Sequence, residues 1–259
     1  MTASPHVLGM RVDPTSYEKA SRLILDWARE KSPRYVCVAS VHNVMTAHDS
    51  DEFRRATNGA DLVTPDGMPV VWCLRAIGYR RAGRVYGPDL TQALLAGAAA
   101  RGISVGFYGG TRDAVRMLQS ATRSRYPRLQ IAYALAPPFR PLTPAEDDEV
   151  VREINRSGSQ VLFVGLGTPK QDYWMAAHKG RVQPVMVGVG AAFDFLAGTK
   201  PQAPRWMMHI GMEWFFRLIT EPRRLWKRYL KQNPRFIVLF ALQLLRARFS
   251  RAQAAQSGD

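Results

Sequence analysis

The chain lacks several features that would settle its class at once. It has only 2 cysteines, Cys37 and Cys73, both in apolar runs and neither beside a histidine cluster. That excludes a disulfide framework and a cysteine zinc site, and it implies a reducing compartment. No run reaches the ~20 apolar residues that cross a bilayer. The longest candidate, residues 236–242, is cut off by Gln243 and followed by Arg246 and Arg248. Residues 1–11 lack the continuous apolar core of a signal peptide. A cytoplasmic protein is expected. Neither GxxxxGKS/T nor GxGxxG occurs, which excludes a Walker A loop and argues against a dinucleotide oxidoreductase. Acids are scarce too, with 21 Asp and Glu against 36 Lys and Arg and a net charge of +15.

What is present begins with the placement of that charge. Twelve of the Lys and Arg residues fall between Lys200 and Arg251, with Glu213 and Glu221 as the only acids there. Such asymmetry points to a polyanionic partner: nucleic acid, an anionic membrane surface or a phosphate-bearing substrate. At 259 residues the chain can bury a sizeable core. Short β-rich runs at residues 35–40, 62–64, 104–108, 129–133, 160–165 and 184–188 alternate with helical patterns. The helices are expected at 17–29, 44–57, 69–77, 90–101, 112–125, 144–155 and 170–178. Runs such as Val161-Leu162-Phe163-Val164 are apolar throughout, the mark of a strand covered on both faces. The expected fold is therefore α/β and Rossmann-like, a mainly parallel sheet flanked by helices. Residues 198–204 read as a linker, dividing a core (1–200) from a basic helical appendage (201–259) rich in Trp and Arg.

Candidate chemistry concentrates where strands should give way to helices. Thr64-Pro65-Asp66-Gly67 sets a carboxylate between a proline and a glycine, at the carboxyl end of a strand, where open α/β sheets bind ligands. Asp66 there is either a general base or the cap of the helix beginning near Met68. Three glycine loops, Gly109-Gly110, Gly165-Leu166-Gly167 and Gly188-Val189-Gly190, also follow strands. With Lys170 beside one of them, they suit a phosphate or diphosphate. His42 and Asn43 should end the first strong strand, Asp89 should cap a helix, and Arg84 either pairs with that cap or binds phosphate. The acids of residues 146–149 sit in a helix's first turn, where the dipole favours them, so no metal is assigned.

Taken in order, these motifs resemble the WecG/TagA/CpsF glycosyltransferase family. The matching residues are Asp66-Gly67-x-Pro69-Val70-Val71, Arg84-Val85-x-Gly87-x-Asp89, Gly109-Gly110, and Gly165-Leu166-Gly167-x-Pro169-Lys170-Gln171. Further on come Phe193-Asp194-x-x-x-Gly198, Ala203-Pro204-x-Trp206, Glu213-Trp214-x-x-Arg217-Leu218 and Glu221-Pro222-x-Arg224-Leu225-x-x-Arg228-Tyr229. The resemblance implies an inverting, metal-independent transferase with a UDP-sugar donor and no cofactor. It implies a polyprenyl-diphosphate-linked acceptor at the inner face of the cell membrane, in cell-surface polysaccharide synthesis. Asp66 would be the general base. Ser40, His42, Arg84, Gly109, Gly110, Gly167, Lys170, Gln171 and Asp194 would line the substrate site. Arg217, Arg224 and Arg228 would hold the acceptor diphosphate. Ser40 stands where the family often has asparagine, and Asp172 where it usually has glutamate.

A nucleic-acid-binding α/β protein would account for the charge. It would leave the glycine loops and the Pro-Asp-Gly turn unexplained, so nucleic acid is not expected as a partner.

Overall fold

The computed structural model describes residues 4–256, with side chains through residue 247. Arg248, Phe249 and Arg251, which the sequence places on the basic tail, lie outside the described side chains. A small antiparallel hairpin of β1 (His6–Val7) and β2 (Met10–Arg11) comes first. Six further strands follow: β3 (Tyr35–Ala39), β4 (Leu62–Pro65), β5 (Val105–Gly109), β6 (Ile131–Leu135), β7 (Val161–Gly165) and β8 (Val185–Gly188). They form one parallel sheet in the order β4-β3-β8-β7-β5-β6. The α/β, Rossmann-like expectation is met.

The helices in chain order are α1 (Tyr17–Arg29), α2 (Val41–Asp49), α3 (Asp51–Asn58), α4 (Met68–Ala76), α5 (Gly87–Arg101), α6 (Arg112–Arg125), α7 (Pro144–Arg156), α8 (Lys170–Ala177), α9 (Ala192–Leu196), α10 (Arg205–His209), α11 (Glu213–Thr220) and α12 (Pro222–Gln256). Alternation along the strands divides the interior into two cores. Tyr35, Cys37, Ala39, Leu162 and Val164 face the side covered by α2, α3, α4, α7 and α8. Val36, Val105, Phe107, Val161 and Phe163 face α1, α5, α6 and α9. Burial on both faces is why these strands read as unbroken apolar runs. Cys37 and Cys73 are free and buried.

Local chemistry sets the helix boundaries. In α7, Thr143 accepts from the Glu146 N–H and the Glu146 carboxylate returns the bond, a capping box. The single helix expected at 44–57 is two. Ser50 holds extended geometry between them, and its hydroxyl accepts from the Phe53 N–H at 3.2 Å. The N-terminal hairpin escaped the sequence pattern because two-residue strands have no period to read.

The chain from α10 onward folds back on the sheet. Phe236 and Phe240 of α12 enter the first core. Gln243 accepts from the Leu8 N–H at 2.8 Å and donates to the His6 carbonyl at 2.9 Å. Arg235 pairs with Asp49 at 2.6 Å. Pro234 lies inside α12 and removes one intrahelical donor. No helix among the described residues is long and apolar enough to cross a membrane.

Candidate active site

The turn after β4 is pinned from both sides. The Asp66 N–H donates to the Ala39 carbonyl at 3.0 Å, and Pro65 O accepts from the Val85 N–H at 2.8 Å. The Asp66 side chain does not cap α4, whose N-cap is Gly67 with no side-chain bond. Its Oδ1 accepts instead from the N–H of Gly87, the first residue of α5, at 2.7 Å. Helix α5 begins earlier than the sequence suggests. Asp89 is therefore not its cap but a first-turn residue that accepts from the Tyr17 hydroxyl at 3.3 Å.

Asp66 is half-buried and opens onto a cavity of about 730 Å³. Burial pushes its carboxyl above the usual range, and the charge of Glu213 adds to the rise. Arg84, the Gly87 N–H and Arg217 pull the other way. The net result is a carboxylate more basic than a solvated one.

Arg84 is largely occupied. Its Nε donates to the Asp66 carbonyl at 2.5 Å and its guanidinium lies 4.3 Å from the Tyr86 ring centroid. It also reaches the Met208 carbonyl and pairs with Glu213. Arg84 thus ties the Pro-Asp-Gly turn to α10 and α11. Glu213 is read from the sequence as part of the motif Glu213-Trp214-x-x-Arg217-Leu218 but is given no place in the site; only the fold brings it to Arg84.

Across the cavity stand Arg217 of α11 and Arg228 of α12. Burial lowers the Arg228 pKa, and its neighbours Arg217 and Arg224 lower it further. The buried Nε of Arg228 has no protein acceptor. Arg224 does not line this cavity; it is exposed and paired with Glu221. The family resemblance groups the three arginines on one diphosphate. The break between α11 and α12 separates them.

His42 does not end a strand. It lies in the first turn of α2, where Ser40 is the N-cap, and both residues line the cavity. The Nδ1 of His42 faces Gln232 Oε1 at 3.0 Å, which puts the proton on Nδ1 and leaves Nε2 as an acceptor. Burial, Arg228 and Arg217 lower its pKa, so the ring is neutral at pH 7. Asn43 takes the Ser40 hydroxyl at 2.6 Å and donates to Thr168 at 3.1 Å. It joins the β3 turn to the loop after β7.

The glycine loops follow neighbouring strands at the carboxyl edge of the sheet, and none of Gly109, Gly110, Gly167, Gln171 or Asp194 lines this cavity. A Cβ on Gly87 would sit 3.7 Å from Asp66 Oδ1 and 3.5 Å from the Val189 carbonyl. Next along, the Gly190 N–H donates to Gln171 Oε1 at 3.0 Å. Gln171 is fully buried, and its Nε2 has no protein partner. Gly109 and Gly165 answer a packing need: a Cβ on Gly109 would stand 2.5 Å from the Gly165 backbone, and one on Gly165 would meet the Phe193 ring at 2.6 Å. Gly110 donates to the Gly165 carbonyl at 3.1 Å. Gly167 has a φ of +76° and open space where a Cβ would go. Lys170 is exposed and does not line the cavity. Asp194 pairs with Lys200 at 2.8 Å. Asp172, beneath the loop, is fully buried, and burial pushes its carboxyl up to about 7.

A Rossmann-like sheet with a basic carboxylate and arginines around one cavity at its carboxyl edge defines an α/β enzyme site. The chain belongs to the WecG/TagA/CpsF glycosyltransferase family, whose model matches residues 5–250. Among its relatives is a protein of Bacillus subtilis, 30% identical over 174 residues, or 67% of this chain and 66% of that protein. Another, from Staphylococcus aureus, is 27% identical over 245 residues, 93% of each chain. Both are named N-acetylglucosaminyldiphosphoundecaprenol N-acetyl-beta-D-mannosaminyltransferase.

Proposed function

We propose that this glycosyltransferase moves a sugar, with inversion, from a UDP-sugar to a saccharide carried on a polyprenyl diphosphate. The supporting observation is the cavity itself, which gathers Asp66, neutral His42, Arg217 and Arg228 around one space. The relatives' names supply the acceptor class, an N-acetylglucosaminyl diphosphoundecaprenol, and a product with a β linkage.

The acceptor hydroxyl attacks the anomeric carbon as Asp66 takes its proton. The bond from that carbon to the UDP oxygen breaks, and its electron pair leaves with the diphosphate. The raised Asp66 pKa brings the base nearer the working pH. Donor phosphates rest on the loops bearing Gly109, Gly110, Gly167 and Gly190, with Gln171 Nε2 as a buried unspent donor. Lys170 and Asp194 flank that loop row. Arg217 and Arg228 hold the acceptor diphosphate, with Arg224 at its outer edge. The leaving charge falls to the loops that hold the donor phosphates and to Lys170, with the arginines of the cavity adding countercharge, so that no metal ion is called for.

Residues 201–259 act as a basic appendage on the inner face of the membrane. Trp206, Ile219, Trp226 and Leu230 are exposed there, beside Arg223, Lys227 and Lys231. Such a mixture suits an anionic lipid surface, at about 1 kcal/mol per basic residue.

The test is Asp66→Asn, which keeps the side chain's size and removes the base. UDP release with a UDP-sugar and a prenyl-diphosphate glycoside should fall ~10²–10⁴-fold. Near-normal turnover would end the assignment.

A further inference from the structure

The cavity continues well past the Asp66 site, and its far half has no polar purpose in sugar transfer. Beyond Arg228 and Tyr229 the α12 wall consists of Asn233, Phe236, Ile237, Phe240, Ala241 and Leu244. These recur at three- and four-residue intervals, so they form one stripe along the helix. From Tyr229 to Leu244 the stripe spans roughly 22 Å at 1.5 Å per residue. The facing wall is α4, where Met68, Pro69, Trp72, Cys73 and Ala76 make a second stripe. Apart from Asn233 at its head and the indole N–H of Trp72, this half of the cavity presents only carbon and sulfur side-chain atoms. Trp72, Ile237, Ala76 and Ala241 are exposed although they line it, so the groove is open rather than closed over a packed core.

We propose that this groove between α4 and α12 binds the isoprenoid chain of the acceptor next to its diphosphate. The proposal rests on the acceptor reading above and extends it from the headgroup to the tail. One continuous cavity is charged at one end, where Asp66 and Glu213 stand among Arg84, Arg217 and Arg228, and apolar beyond. That order matches a sugar diphosphate joined to a hydrocarbon chain. A nucleotide sugar has nothing to place in the apolar half. Helix α4 begins two residues after Asp66 and α12 carries Arg228, so the elements that build the reaction site also build the tail site. The enzyme would read part of the lipid itself, beyond any contact with the bilayer surface.

The experiment compares kcat/KM for two acceptors with the same sugar diphosphate, one on a short alkyl chain and one on farnesyl, without vesicles. The farnesyl acceptor should be preferred by about tenfold or more, the effect of burying tens of Å² of hydrocarbon. Ala76→Trp and Ala241→Trp fill the groove from opposite walls, and each should bring that ratio toward one. Thermal melts of both variants check that they fold. A ratio near one in the parent protein overturns the proposal without any variant, and so does a preference that both folded variants retain. A second copy of the chain or a phospholipid tail in the groove would give one of those two results. If the parent uses neither acceptor, the acceptor reading fails first.

Discussion

Strand β3 and helix α11 handle apolar side chains in opposite ways. All five residues of β3 are buried, between two cores. None of the eight in α11 is buried, and Trp214, Phe215 and Ile219 are exposed there. A parallel sheet gains its stability by removing apolar area from water on both faces. The C-terminal helices keep theirs outward and attach by a few specific contacts: Phe236 and Phe240 in the core, Gln243 on the hairpin, Arg235 on Asp49. Apolar surface left open beside basic residues is surface kept for a partner. The sheet holds Asp66 still, and the helices bring the cations to it.

That contrast can be broken by substitution. Phe107→Ala, in the second core, should cost roughly 3–5 kcal/mol in a urea titration. A cost below 1 kcal/mol would mean the sheet is not the source of stability. Asp172 gives a pH-dependent version of the same test. Its folded pKa of about 7 lies above the ordinary 3.8, so the folded state holds the proton more tightly. Stability is full below the lower value and falls as pH rises through the upper one, by on the order of 4 kcal/mol. Asp172→Asn should flatten that slope; an unchanged slope would show the carboxyl is solvated.

On the helical side the effects are smaller and functional. Glu213→Gln removes a charge that raises the Asp66 pKa and frees Arg84 to act on it. The acid limb of kcat/KM should move toward lower pH, and a shift toward higher pH would refute the coupling. Ile219→Ala should change stability by no more than about 0.5 kcal/mol, since its side chain is 63% exposed. The same variant should weaken pelleting with anionic vesicles. Equal pelleting with neutral and anionic vesicles would count against electrostatic docking.

Much of this was legible in the residues alone. Helix α1 and helix α6 run over the spans their amphipathic patterns indicate, and all six sheet strands lie where β-rich runs occur. The site was legible in part. Asp66 follows β4 and opens onto a cavity, as the Pro-Asp-Gly turn suggests. Its partner was not legible. A carboxylate two residues ahead of a helix looks like that helix's cap, yet Asp66 accepts from the first N–H of α5, twenty-one positions along the chain. The resemblance groups Arg217, Arg224 and Arg228 on one diphosphate. A helix boundary at Glu221 and Pro222 sends Arg224 outward instead. Gly109 and Gly165 drew notice as phosphate loops, and the structure adds a packing reason for them.

Alternation of apolar residues along each run determined the sheet, its flanking helices and the two-sided core, because burial on a strand has a period of two and on a helix of 3.6. Motif order alone pointed to the family. The tertiary structure decided which charges meet. Arg84 finds Glu213 across 129 positions, and α4 faces α12 to make the apolar groove. Local sequence sets backbone preference within a few residues, whereas such pairings depend on how whole elements pack.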